Sequence, residues 1–184
     1  AIGAAGLVFC LGFIVLAGWQ MRVPALIQVH PAFVPMQFNT ALGFALCGAG
    51  LLALVGDKCR VALACGAIVT IMALATLAEY GADINFGIDQ LLMDHYITVK
   101  SAYPGRMAVT TALSFVLSGI ALAALGVKSH RGRMVFSDLT ASIVLALGLG
   151  TFFGYLLGTE TPYGWSHLTY MAVHTAAGFV VLGI

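Results

Sequence analysis

The sequence predicts an all-α integral membrane domain: six transmembrane helices, built as three parallel two-helix repeats in a pseudo-threefold bundle. Three observations lead there. The 184 residues are 61% hydrophobic and only 8% charged, with a mean hydropathy of +1.02, whereas a soluble domain carries about a quarter charged residues. The apolar residues fall into six stretches close to the roughly 20 residues that span a hydrocarbon core. One motif recurs three times without a gap.

The spans are expected at about 3–20, 37–56, 61–80, 107–127, 135–157 and 168–184. Two breaks are short and basic, GDKCR (56–60) and GVKSHRGR (126–133), and together hold Lys58, Arg60, Lys128, Arg131 and Arg133. The other three (21–36, 81–106, 158–167) are longer and richer in proline, and hold Arg22, Lys100 and Arg106 with most of the acids. The positive-inside rule places the short loops and both termini in the cytoplasm and the long loops outside. A bacterial inner membrane is the expected location. Trp19, Tyr80, Tyr155 and Trp165 stand near the outer span ends, where amphipathic rings favour the membrane interface. Within the second long loop, GIDQLLMDHYITV suits a short helix or strand lying on the membrane surface. The net charge of +1 is uninformative about partners, and the sequence has no basic stripe for nucleic acid and no acidic tail. Cys10, Cys47, Cys59 and Cys65 show no CxxC or zinc spacing, and read as packing residues or free thiols.

The repeat comprises MQFNTALGFALCG (36–48), MAVTTALSFVLSG (107–119) and MAVHTAAGFVVLG (171–183). Met36, Met107 and Met171 are shared, as are Thr40, Thr111 and Thr175; Ala41, Ala112 and Ala176; Phe44, Phe115 and Phe179; and Gly48, Gly119 and Gly183. Met, Thr, Phe and Gly are four apart, which keeps them on one helical stripe, and small residues there let helices approach closely. Each motif follows one span and one long loop. This divides a single domain, 1–184, into units of about 1–56, 57–126 and 127–184. All units run in the same direction, so their axis lies along the membrane normal.

One motif position varies while staying polar: Asn39, Thr110 and His174. If the second helices of the units converge, these side chains share a pocket one turn inside the outer boundary. Polar groups at membrane depth are costly and often functional. His174 is the first candidate ligand, with His167 and His30 next; all three are candidate metal donors, and Met36, Met107 and Met171 form the wall. His167 and His174 stand two turns apart, about 10.5 Å along a helix, too far to share one ion. Imidazole suits several metals and thioether selects Cu(I), so the candidate cofactors are a copper ion or haem b. Glu79, with Asp83, Asp89 and Asp94 after it, reads as a solvated acidic face near Arg106 or Lys100. No nucleotide-binding or hydrolase signature is present, so the domain is not expected to be an enzyme by itself.

The runs HPAFVPMQFNTALGF (30–44), GIDQLL (87–92), PGRMAVTTALSF (104–115) and YGWSHLTYMAVHTAAGF (163–179) resemble an N-terminal membrane region of bacterial signalling proteins that precedes PAS, histidine-kinase or diguanylate-cyclase modules. The resemblance covers nearly the whole chain. It departs at Thr110, where the family has Asn, and at Asp94–His95, where it has an acid–Pro pair. It implies a sensory input domain with a cytoplasmic output module after residue 184, dimerising through that module. A small ligand or redox cofactor would bind near the outer side, and the last span would carry the signal. The alternative reading is a cytochrome b-like redox carrier exchanging electrons with quinone; membrane lipid surrounds either.

Overall fold

The computed structural model describes residues 2–97, 99, 101–127, 131–158 and 169–184, and the side chains of 131–133 are not among the described groups. Every regular element in it is helical. In order these are α1 (Ile2–Met21), the single turn α2 (Pro24–Ile27), α3 (Phe38–Val55), α4 (Cys59–Ala82), α5 (Val109–Gly126), α6 (Arg131–Leu156) and α7 (Val173–Leu182). Five are long and apolar enough to cross a membrane: α1, α3, α4, α5 and α6. The expected sixth span, 168–184, is helical only over Val173–Leu182, a shorter apolar helix. The difference lies at its start, because Thr169–Ala172 precede the helix in non-helical backbone.

The same entry geometry recurs three times. Gln37 (φ −65°, ψ 151°), Ala108 (−59°, 151°) and Ala172 (−68°, 153°) each hold extended backbone immediately before a helix. The carbonyl of each accepts the first helical bond, from the amides of Ala41, Ala112 and Ala176 respectively. The repeated sequence thus encodes one local structure, with helix starting two residues after each motif Met. Chain reversal after α3 and α4 uses aspartate in the left-handed region, Asp57 (φ 57°) and Asp83 (φ 51°), a conformation Asp tolerates better than most residues. Beyond Ala82, where α4 ends, the second long loop is neither helix nor strand over its described residues, so the surface element expected in GIDQLLMDHYITV does not form there.

Consecutive helices pair: α1 with α3, α4 with α5, and α6 with α7. Further contacts join α3 to α4 and α5, α5 to α6, and α1 to α7, closing a ring. The first helix of each pair is the more exposed. A third of the α1 and α4 spans and 22% of the α6 span are buried, against half of α3 and 44% of α5. Ile14, Ile68, Ile71, Leu74, Leu139 and Phe153 point outward; apolar side chains on an outer surface suit lipid.

The motif stripe makes the inner contacts. The rings of Phe44, Phe115 and Phe179 touch pairwise at 5.0, 4.8 and 4.9 Å between centroids and are fully buried. The motif glycines face the first helix of their own pair. A Cβ on Gly48 would stand 2.5 Å from the Phe9 nitrogen, one on Gly119 2.8 Å from the Gly66 oxygen, and one on Gly183 2.8 Å from the Ala141 oxygen. Backbone contact at that range needs glycine, and it is how helices gain dispersion energy where lipid offers no hydrophobic drive.

Candidate functional site

The end of the molecule that carries the long loops holds nearly all of its buried polar chemistry. Its framework is three matched hydrogen bonds. Trp19 Nε1 donates to the Met36 carbonyl at 2.9 Å, the Tyr80 hydroxyl to that of Met107 at 3.2 Å, and the Tyr155 hydroxyl to that of Met171 at 2.8 Å. Each motif Met lies just outside its helix, so its carbonyl has no place in the helical ladder and needs an outside donor. The Met side chains are buried in the core.

These aromatic residues were expected at the lipid interface; they point inward instead. Trp19 is wholly buried, and Tyr80 and Tyr155 are half-buried. The signal was present in the first helices and is a second repeat. Val8, Gly12, Val15 and Trp19 match Val69, Ala73, Thr76 and Tyr80, and match Val144, Gly148, Thr151 and Tyr155. All but the two tyrosines are buried. Trp165 lies outside the described residues.

The same aromatics reach the next unit. The His95 ring packs against Trp19 at 4.3 Å, tilted by 54°, and Tyr96 meets Trp19 edge-on at 4.9 Å. Tyr155 meets Phe33 at 5.4 Å, and Tyr80 lies beside Thr169. Trp19 of α1 therefore touches the loop between α4 and α5, Tyr80 of α4 the residues before α7, and Tyr155 of α6 the loop between α1 and α3.

The variable position follows the same order. Asn39 Nδ2 donates to the Ile88 carbonyl at 3.0 Å and to that of Asp89 at 3.5 Å. His174 lies beside the Ile27 carbonyl, and neither ring nitrogen makes a hydrogen bond. Ile27 and Ile88 correspond, each eight residues beyond the aromatic of its first helix. Asn39, Thr110 and His174 are the second residues of their helices rather than one turn inside. Among the described residues no hydrogen bond or ring contact joins the three. Asn39 and His174 address the loops of neighbouring units, while the Thr110 carbonyl accepts from Ser114 at 2.9 Å. Of the other histidines expected at the site, His30 is exposed on the first long loop, its Nδ1 accepting from the Ala32 amide at 3.2 Å. His167 lies outside the described residues. Among the described residues no group of three or more His, Cys, Asp or Glu is placed to hold a metal ion.

His95 was not among the expected ligands, yet both its ring nitrogens are buried without a hydrogen bond. Burial pushes its pKa down to about 4, against an opposing pull from the Met93 backbone and Asp94, so the ring is neutral at neutral pH. Gly105 (φ 83°) passes so close that a Cβ there would stand 3.0 Å from His95 Nδ1 and against the Asp89 carbonyl.

The acids divide. Asp83 and Asp94 are exposed, as a solvated face requires, but Glu79 is wholly buried and Asp89 is 6% exposed. The buried Arg106 guanidinium accounts for both. Its Nε lies 2.7 Å from Asp89 Oδ2 and 3.4 Å from Glu79 Oε2, and it packs over the rings of Tyr103 (4.5 Å) and Tyr80 (5.1 Å). Glu79 Oε1 accepts from the Phe86 amide at 2.8 Å. The neighbourhood of Arg106 was legible in the sequence; burial was not, because the covering loop has no apolar periodicity to announce it.

No family model matches this chain, and neither a curated protein nor a solved structure matches it.

Proposed function

We propose that this chain is the membrane-integral sensory input domain of a bacterial signalling protein, with its three out-and-back units arranged about a pseudo-threefold axis. The long-loop end faces outside and receives the stimulus; the short loops and both termini face the cytoplasm, and α7 passes the change to an output module that dimerises. The observation that carries this reading is the interlock at the long-loop end. Each unit's aromatic holds its own motif Met carbonyl and presses on the loop of the next unit. Such seams are the places where packed elements slide between discrete arrangements, since close-packed interfaces resist continuous deformation. At two of them a buried imidazole, His95 or His174, has no hydrogen-bond partner, and a stimulus that supplies one shifts the balance between arrangements.

The stimulus is a small ligand or a redox change at His174, with haem b or copper as the cofactor classes its imidazole would take. Two measurements test this. The chain in lipid bilayers is assayed for metal and for a visible spectrum, as wild type and as His174→Ala. The same pair, joined after Ile184 to a diguanylate-cyclase module, is assayed in cells for cyclic-dinucleotide output. The expected result is an altered output in His174→Ala at equal membrane level, with any Soret band or metal content falling in parallel. Unchanged output and unchanged cofactor content would remove His174 from the site. A Soret band with output indifferent to His174 would instead favour the redox carrier.

A further inference from the structure

The three units are alike at their aromatic anchors but not beside them, and among the described residues buried charge stands only beside the anchor of unit 2. Glu79 precedes Tyr80; the matching residues before Trp19 and Tyr155 are Gly18 and Gly154. Arg106 precedes Met107; its counterparts are Pro35 and Tyr170. Asp89 follows Ile88; its counterpart after Ile27 is the neutral Gln28, whose amide donates to the His30 and Phe33 carbonyls. Units 1 and 3 build the same helix pair and the same aromatic-to-carbonyl bond without these charges. The common helix-pair geometry therefore does not account for the triad, although burying it is costly.

Its charges do not balance. Two ionised carboxylates against one guanidinium leave a net negative charge with Glu79 and Arg106 no more than 2% exposed. Two oxygens lack a hydrogen bond, Glu79 Oε2 and Asp89 Oδ1, and the two side chains are near enough to bridge. A single proton resolves both problems: it makes one carboxyl a donor to the other and brings the triad to neutrality. Among the described residues, the groups facing the pair are Arg106 and Tyr103 from the loop, Tyr80 from α4 and the neutral amide of Asn39 from α3, with His95 beside the Asp89 carbonyl across Gly105.

We propose that Glu79 and Asp89 form a proton-binding site that holds one shared proton at neutral pH and latches the second long loop onto α4. The proton is exchanged with water at the long-loop end, forming or breaking one carboxyl O–H bond and changing nothing else covalently. Its loss leaves a buried uncompensated charge, which draws water in and loosens the loop from Phe86 to Arg106. The site stands whether or not the domain is sensory.

Infrared difference spectroscopy of the whole chain in lipid bilayers tests this at neutral pH, reading the carbonyl stretch of protonated carboxylic acid and its shift in heavy water. Wild type shows one such band. Glu79→Gln, a neutral replacement of the same shape, abolishes it, because Asp89 is then ionised against Arg106. Asp89→Asn abolishes it equally, because Glu79 then pairs with Arg106. Arg106→Gln removes the cation and raises the band about twofold, since both acids must then be neutral. Absence of the band in wild type overturns the proposal, and so does its survival in either single acid variant. Circular dichroism establishes that each variant is folded.

Discussion

At the scale of single residues, the most informative groups are those that three units use identically. The hydroxyl of Tyr155 satisfies the Met171 carbonyl at 2.8 Å, and Tyr155→Phe removes that oxygen alone. A buried carbonyl left without a donor costs about 1–3 kcal/mol, so the variant is expected to unfold more readily by about that amount in steric-trapping or detergent titrations. Tyr80→Phe should cost less, because its bond is longer at 3.2 Å and the ring is also held by Arg106 at 5.1 Å. Negligible loss in both variants would mean that the ring, which phenylalanine keeps, and not the hydrogen bond, holds the motif. The motif residues themselves were legible in the sequence, since Met, Thr, Ala, Phe and Gly repeat without a gap. Their anchors were missed for a physical reason. A tryptophan or tyrosine near a span end suits the headgroup layer and a backbone carbonyl equally well, and only the matched valines and small residues one to three turns earlier separate the two.

At the scale of elements, five spans could be read to within a few residues because length and composition alone define them. The start of α7 and the course of the second long loop could not, because neither rests on a periodic pattern. That loop is held through side chains: His95 on Trp19, Asp89 and Glu79 on Arg106, and the Glu79 carboxylate on the Phe86 amide. Its docking is therefore expected to depend on pH through His95. In the docked loop the imidazole sits at about 4, below its ordinary 6.5, because burial disfavours the cation. A base depressed in the folded state contributes its stability above the unfolded value and loses it as pH falls through the folded one. The His95 contribution to docking should thus be complete above about 6.5 and weaken from there down to about 4. Trp19 emission reports it, measured in a Trp165→Phe background so that only one indole contributes. The expected change in that window should vanish in His95→Gln. A flat titration from neutral pH to about 4 would show that the ring is not docked as described.

At the scale of the whole molecule, the question is whether three two-helix units behave as one cooperative body or as three hairpins that happen to touch. The repeated motif and its contact stripe were legible in the sequence; which loop each aromatic meets was not, because those loops carry no apolar periodicity to give them a direction. The contacts between units are of two kinds. Near the middle, Phe44, Phe115 and Phe179 meet in one cluster, each ring against the other two. At the long-loop end, the seams are separate, with Trp19 on His95 in one and Tyr155 on Phe33 in another. Residues in mutual contact couple, whereas residues without shared partners add. Pairwise truncation of the three phenylalanines to alanine should therefore be non-additive, with coupling of about 0.5–1.5 kcal/mol per ring pair. Trp19→Phe and Tyr155→Phe together should be additive within about 0.5 kcal/mol. Double-mutant cycles on unfolding free energy measure both. If the phenylalanine cycles closed to zero while the seam cycle did not, the rings would be mere filler, and the units would communicate only through their loops. A change at one seam would then have no route across the core. Coupled rings with independent seams make the cluster the shared element through which a disturbance at any one unit reaches the other two.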